Sequence, residues 1–158
     1  MSDLTKLIAP SFYGVHHDIK AGRHTHYWLK GGRGSTKSSF ISVETILGMM
    51  QDTAANALVL RKVAANLKDS VYEQLLWAIE ALGVEHLWKA KLSPLQLSYL
   101  PTGQRILFRG AAAISASSRT GSIVPISLFA SIIDTRRGEY IVFSSVSGRI
   151  VPSFSGAR

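Results

Sequence analysis

Gly31-Gly32-Arg33-Gly34-Ser35-Thr36-Lys37-Ser38-Ser39 is the stretch whose reading decides the fold. Before it, His24-Thr25-His26-Tyr27-Trp28-Leu29-Lys30 is rich in aromatic and β-preferring residues and predicts a strand. After it, Phe40, Val43, Leu47 and Met50 recur at three- and four-residue spacing, which predicts a helix from about Ser38 to Gln51. A loop of small residues between a strand and a helix lets successive backbone N–H groups curl around phosphate oxygens, and the positive end of the helix dipole faces the anion. In such a loop a lysine reaches the outer phosphates and the next hydroxyl ligates Mg²⁺; Lys37 and Ser38 occupy those two places. Counted from Gly31, the strict pattern Gly-x-x-x-x-Gly-Lys-Ser requires glycine at 36, where this chain has Thr36. A β-branched residue is strained in a left-handed backbone and crowds a phosphate. The plain alternative is a glycine-rich turn ahead of an ordinary helix.

Farther along, Asn56–Arg61 contains Ala-Leu-Val-Leu, an apolar run suited to a buried parallel strand. Leu67, Val71, Leu75, Ala78 or Ile79, and Leu82 form one stripe of a helix over 66–82 that stops at Gly83. Leu95–Leu100 and Arg105–Arg109 flank Pro-Thr-Gly-Gln and predict a β-hairpin. Strand, loop, helix, strand, helix is a βαβ opening, so the expected fold class is α/β. Trp77, Leu87, Trp88 and Leu92 fit core or hairpin packing.

The 158 residues match one domain, and a 46% hydrophobic composition is enough to build a core. Lys+Arg 18 against Asp+Glu 10 gives a net charge of +8, which favours a polyanionic partner. The absence of cysteine excludes disulfides, cysteine-ligated zinc and a cysteine nucleophile, and fits a reducing compartment. No apolar run approaches the ~18 residues of a membrane span, so no membrane partner is expected. Composition changes sharply near Gly110: residues 1–110 hold all eight lysines and eight of the ten acids, whereas 111–158 hold no lysine, only Asp134 and Glu139 as acids, and eleven serines. The chain therefore divides into 1–110 and an atypical Ser/Arg-rich segment, 111–158.

Tyr27–Ser39, together with Leu58-Val59-Leu60-Arg61-Lys62, Asn66-Leu67-Lys68-Asp69-Ser70-Val71-Tyr72 and the hairpin through Gly110, resembles the N-terminal ATPase region of the large terminase subunit of tailed phages. The closest likeness is to its PBSX-like branch, in which the strict glycine of the Walker A loop is often replaced, and it covers about residues 20–110. The resemblance implies a P-loop NTPase core with a parallel or mixed sheet flanked by helices. It further implies ATP hydrolysis driving double-stranded viral DNA through a portal into a capsid, in the cytoplasm of a bacterial host. A portal protein, a terminase small subunit and a homo-oligomeric ring are the implied partners. By position, Lys37 would bind the β- and γ-phosphates, Ser38 would hold Mg²⁺, and Gly31, Gly32, Gly34, Ser35, Thr36 and Ser39 would complete the ATP-binding loop. Arg33 matches a loop arginine placed near the γ-phosphate, and Tyr27 or Phe12 would stack on adenine.

Such an ATPase also needs a strand of apolar residues ending in Asp and Glu, to support Mg²⁺ and polarise the attacking water. At the expected distance stand Tyr140-Ile141-Val142-Phe143 followed by Ser144-Ser145, and serine supplies no negative charge. The other candidate, Ile132-Ile133-Asp134-Thr135, has one acid and no following Glu, so Asp134 is the remaining metal candidate and a turn charge its plain alternative. The acids after Gly110 are too few for the nuclease that follows the ATPase in the family. Together with the composition break, this predicts a core incomplete at its C-terminal side, as in a truncated or frame-shifted gene. Two other readings stand beside the ATPase: a non-hydrolysing basic nucleotide- or nucleic-acid-binding module, and an inactive prophage remnant. His24 and His26 share one strand face, but no carboxylate or cysteine in the sequence pattern completes a metal set with them.

Overall fold

The computed structural model describes residues 4–24, 26–30, 34–61, 67–110, 128–134 and 139–145, with His26 and the last two segments described by backbone and register. The chain opens with a short helix α1 (Leu4–Leu7), a 3-10 turn at Pro10–Phe12 and helix α2 (Tyr13–Lys20). Strand β1 (His26–Leu29) leads toward helix α3 (Lys37–Gln51), and β2 (Ala55–Arg61) follows. A wide π-helical turn at Lys68–Tyr72 runs directly into α4 (Glu73–Leu82). Three strands come next, β3 (Trp88–Leu92), β4 (Leu95–Tyr99) and β5 (Arg105–Gly110), and then β6 (Leu128–Asp134) and β7 (Glu139–Ser145).

The seven strands form one mixed sheet in the order β1-β6-β7-β2-β5-β4-β3. β2 runs parallel to β5 and β1 parallel to β6, while β7, β4 and β3 pair antiparallel. The fold is therefore α/β with helices against a mixed sheet. β1 and β2 are not neighbours, because β6 and β7 lie between them. Residues from both sides of Gly110 thus share a single sheet.

α3 and α4 pack on each other, and the core between helices and sheet is built from Phe40, Val43, Ile46, Met49, Val59, Leu75, Leu97 and Ile106. α3 buries more than a narrow stripe: Ile41, Ser42, Glu44 and Thr45 are buried too, which marks it as the central helix. The stripe predicted over 66–82 is the one that packs: Leu67, Val71, Leu75, Ala78 and Ile79 are buried and Leu82 is partly so. Gly83 ends the helix in the left-handed region (φ 71°), where the N–H of Val84 reaches the carbonyl of Ile79 and that of Gly83 reaches Glu80. This Schellman arrangement satisfies carbonyls the helix leaves over. The hairpin expectation holds for β4 and β5, and β3 adds a third strand at the sheet edge. Trp88 is core, but Trp77 and Leu92 are 39% and 62% exposed, so the packing expected of those two does not form. Among the described residues, no helix is long and apolar enough to cross a membrane.

Candidate functional site

β1 ends at Leu29, and the loop re-enters the described structure at Gly34, one turn before α3. Gly31, Gly32 and Arg33 lie outside the described residues. Gly34 (φ 74°) and Thr36 (φ 54°, ψ 11°) both adopt left-handed backbone angles. Glycine carries no Cβ to clash there, whereas threonine does, and Thr36 is the only non-glycine residue with positive φ among those described. The position at which the strict loop pattern asks for glycine is therefore the position at which the backbone needs one. Thr36 accepts the strain, and its Oγ1 donates to the carbonyl of Ser35 at 2.8 Å.

With its hydroxyl turned to Ser35, Thr36 makes no side-chain cap for α3, and the first helical turn carries no acidic residue. The helix dipole at this end is consequently not neutralised by an acidic side chain of its own first turn. Lys37, the first residue of α3, is 6% exposed, and its Nζ donates to Ser35 Oγ at 2.6 Å. A buried ammonium is costly unless it is held by polar partners, and an anion at the loop would be one more of them. Ser38 and Ser39 follow on the same turn, each half-buried. The arrangement brings together two left-handed residues, an uncapped helix N-terminus, two hydroxyls and a buried cation.

Across β1, the parallel neighbour β6 places Asp134 at its C-terminal end in register with Leu29. Asp134 thus stands at the sheet edge from which the loop departs. The other candidate strand, Tyr140–Phe143, lies within β7 and runs antiparallel to β6, so its Ser144 end is at the opposite edge.

A face of α3 not anticipated from the sequence is covered by the N-terminal segment. Phe12 stacks on Phe40 with ring centroids 4.6 Å apart and planes at 10°. One turn farther along both helices, His16 Nδ1 meets Glu44 Oε1 in a buried contact. Burial pushes the Glu44 carboxyl above the usual range, opposed by the His16 hydrogen bond and by the positive charges of His16 and Lys20. Phe12, a candidate for adenine, therefore has one ring face against Phe40. Tyr27 is 7% exposed with its hydroxyl unpartnered among the described residues, and His24 meets its ring edge-on at 5.9 Å. The one available signal for the His16–Glu44 pair was an acid in the apolar pattern of α3, seven residues after Lys37, which needed a partner.

Comparison with known proteins gives these residues a context. The sequence profile of the family described as phage terminase large subunit matches residues 23–120. The terminase large subunit of Bacillus phage SPP1 is 47% identical over 107 residues, 68% of this chain and 25% of that protein. The PBSX phage terminase large subunit of Bacillus subtilis (strain 168) is 35% identical over 86 residues, 54% of this chain and 19% of that protein. The chain spans a quarter or less of the length of these relatives. With the profile covering more than half of the sequence, the chain belongs to the phage terminase large subunit family.

Proposed function

We propose that this chain is the nucleotide-binding portion of a terminase large subunit, a P-loop NTPase core that binds Mg·ATP in the service of viral DNA packaging. The observation that carries the reading is the left-handed Thr36 immediately ahead of the buried Lys37 at the uncapped start of α3. Left-handed residues ahead of a helix N-terminus are a feature of backbone nests, in which successive N–H groups converge on an anion. In this reading Lys37 binds the outer phosphates, the Ser38 hydroxyl holds Mg²⁺, and Gly31, Gly32, Gly34, Ser35, Thr36 and Ser39 shape the pocket. Arg33 stabilises charge at the γ-phosphate, and Asp134 supports the metal from the end of β6. Mg²⁺ would supply neutralisation of the phosphate oxygens as charge builds on them. Double-stranded DNA is the polyanion that the net charge of +8 suits. A portal protein, a small subunit and neighbouring copies in a ring are the partners proposed from family membership. Among the described residues no consecutive Asp-Glu stands at the carboxyl end of a strand, so the proposal is for nucleotide binding by this chain and for turnover in an assembly that completes the acids.

Equilibrium binding of Mg·ATP to the chain and to Lys37→Ala tests the reading. Micromolar binding that the substitution abolishes supports it. A folded wild-type chain that binds no nucleotide refutes it.

A further inference from the structure

Lys37, Phe40 and Glu44 sit at i, i+3 and i+7 and share one face of α3, since seven residues come back to within about 20° of the starting direction. That face is covered by the segment ahead of the family-matched region, which begins at residue 23. The two contacts run in step: Phe12 against Phe40, then His16 against Glu44, so α2 ascends α3 in the same direction. Ile8, ahead of Phe12 in the same segment, is 2% exposed, and α1 also packs against α3. Packed apolar surfaces restrain a helix without prescribing the direction of any one contact. A hydrogen-bonded pair between one imidazole nitrogen and one carboxylate oxygen adds a restraint on distance and angle.

From this geometry we infer that the His16–Glu44 pair is a positioning device that fixes the axial rotation of α3, and through it the placement of Lys37 and Ser38. The inference rests on the phosphate-loop reading above. A helix transmits rotation rigidly over two turns, and with Cα atoms about 2.3 Å from the axis a lysine tip several ångströms farther out moves by about 2–3 Å for a 20° turn. Displacements of about 1 Å at a reacting group are already enough to matter. Glu44 is 4% exposed, and a carboxylate buried to that extent needs a hydrogen-bonding partner, which His16 provides. Neither His16 nor Glu44 touches nucleotide in this proposal; both act through α3.

The test compares the wild-type chain with the double variant His16→Leu/Glu44→Leu and with Glu44→Gln. Replacing a buried ion pair by apolar side chains is commonly neutral or stabilising, so a merely structural role leaves the double variant folded and its binding intact. The expected result is an unchanged or raised thermal midpoint, Mg·ATP binding weakened by about tenfold or more, and faster amide exchange over residues 40–44, the first whose N–H groups bond within the helix. Glu44→Gln, which keeps an acceptor for His16, is expected to bind within about twofold of wild type. Glu44→Ala is the second variant should the double one not fold, and the same weakening is expected of it. Binding within twofold of wild type by either folded variant lacking the acceptor overturns the inference. A wild-type chain that binds no Mg·ATP overturns the phosphate-loop reading instead, and the exchange measurement then decides alone: equal protection of residues 40–44 in wild type and the double variant refutes the positioning role.

Discussion

Replacing Thr36 by glycine is expected to leave the stability of the chain within about 1 kcal/mol of wild type, because a relieved backbone strain offsets what glycine loses on folding. Thr36 has φ 54° and ψ 11°, a conformation that costs a residue with a Cβ about 1–2 kcal/mol. Glycine removes that penalty but loses more freedom on folding, at a cost of about 0.5–1 kcal/mol. The bond from Thr36 Oγ1 to the Ser35 carbonyl, on an exposed side chain, adds a further loss of about 0.5 kcal/mol. The terms nearly cancel, leaving a net change between about −0.5 and +1 kcal/mol. The opposite substitution two residues earlier provides the control. Gly34→Ala meets no atom within 4 Å of the new Cβ, so its cost is conformational alone, about 1–2 kcal/mol at φ 74°. Urea denaturation followed by tryptophan fluorescence measures both, provided the slopes agree with wild type. A loss above about 1 kcal/mol in Thr36→Gly would mean that Thr36 occupies an ordinary backbone region, and the strained-loop argument would fail with it.

Other perturbations bear on the supports around the loop. His16→Ala leaves the buried Glu44 carboxylate without its partner and is expected to cost about 3 kcal/mol at pH 8. Because burial already raises the folded-state pKa of Glu44 above its ordinary value, the folded chain takes up that proton first as pH falls. The stability gap between His16→Ala and His16→Ala/Glu44→Gln should therefore narrow from pH 8 toward pH 5 in denaturation series; a constant gap would show that Glu44 does not carry the charge. Gln104, 4% exposed, donates from Nε2 to the carbonyls of Asp52 and Ala55 and ties the β4–β5 turn to the start of β2. Gln104→Leu should cost about 2–3 kcal/mol in urea, since two carbonyls lose their donor. On the β3–β4 hairpin, Leu97→Ala at a fully buried position should cost about 2–5 kcal/mol, while Leu92→Ala should change stability by less than about 0.5 kcal/mol.

Apart from β3, the main helices and strands between residues 26 and 110 were legible because their periodicity is local. Phe40, Val43, Val71 and Leu75 announce buried faces by spacing alone, and Gly83 announces an end that its left-handed angle then occupies. Thr36 was legible in a subtler sense: a departure from a glycine pattern foretold a strained angle, and the angle is there. The N-terminal helices were not. Pro10 interrupts the segment, its apolar residues make no long stripe, and its docking depends on a histidine and a glutamate twenty-eight positions apart. Trp88-Lys89-Ala90-Lys91-Leu92 does alternate, but a strand whose last four residues are exposed at a sheet edge announces little burial. Strand order was beyond reach for a different reason: pairing across long loops is decided by which edges meet, and no residue of β1 or β2 specifies the two strands that separate them.

That separation bears directly on where an acid can act. The register runs across the sheet from Leu29 to Asp134, to Glu139, to Arg61 and to Gly110. Leu29, Asp134, Arg61 and Gly110 each stand at the carboxyl end of a strand that runs in the β1 direction, and this is the edge where α/β sheets place ligands. A strand can present its last residue at this edge only if it runs parallel to β1. β6 does, and β7 does not. The run Tyr140–Phe143 is the longer apolar stretch, yet its orientation carries Ser144 away from the loop and brings Glu139, the first residue of β7, toward it. Direction, which composition does not encode, is thus what favours Asp134 over the longer apolar strand as the place to look for a metal-supporting acid.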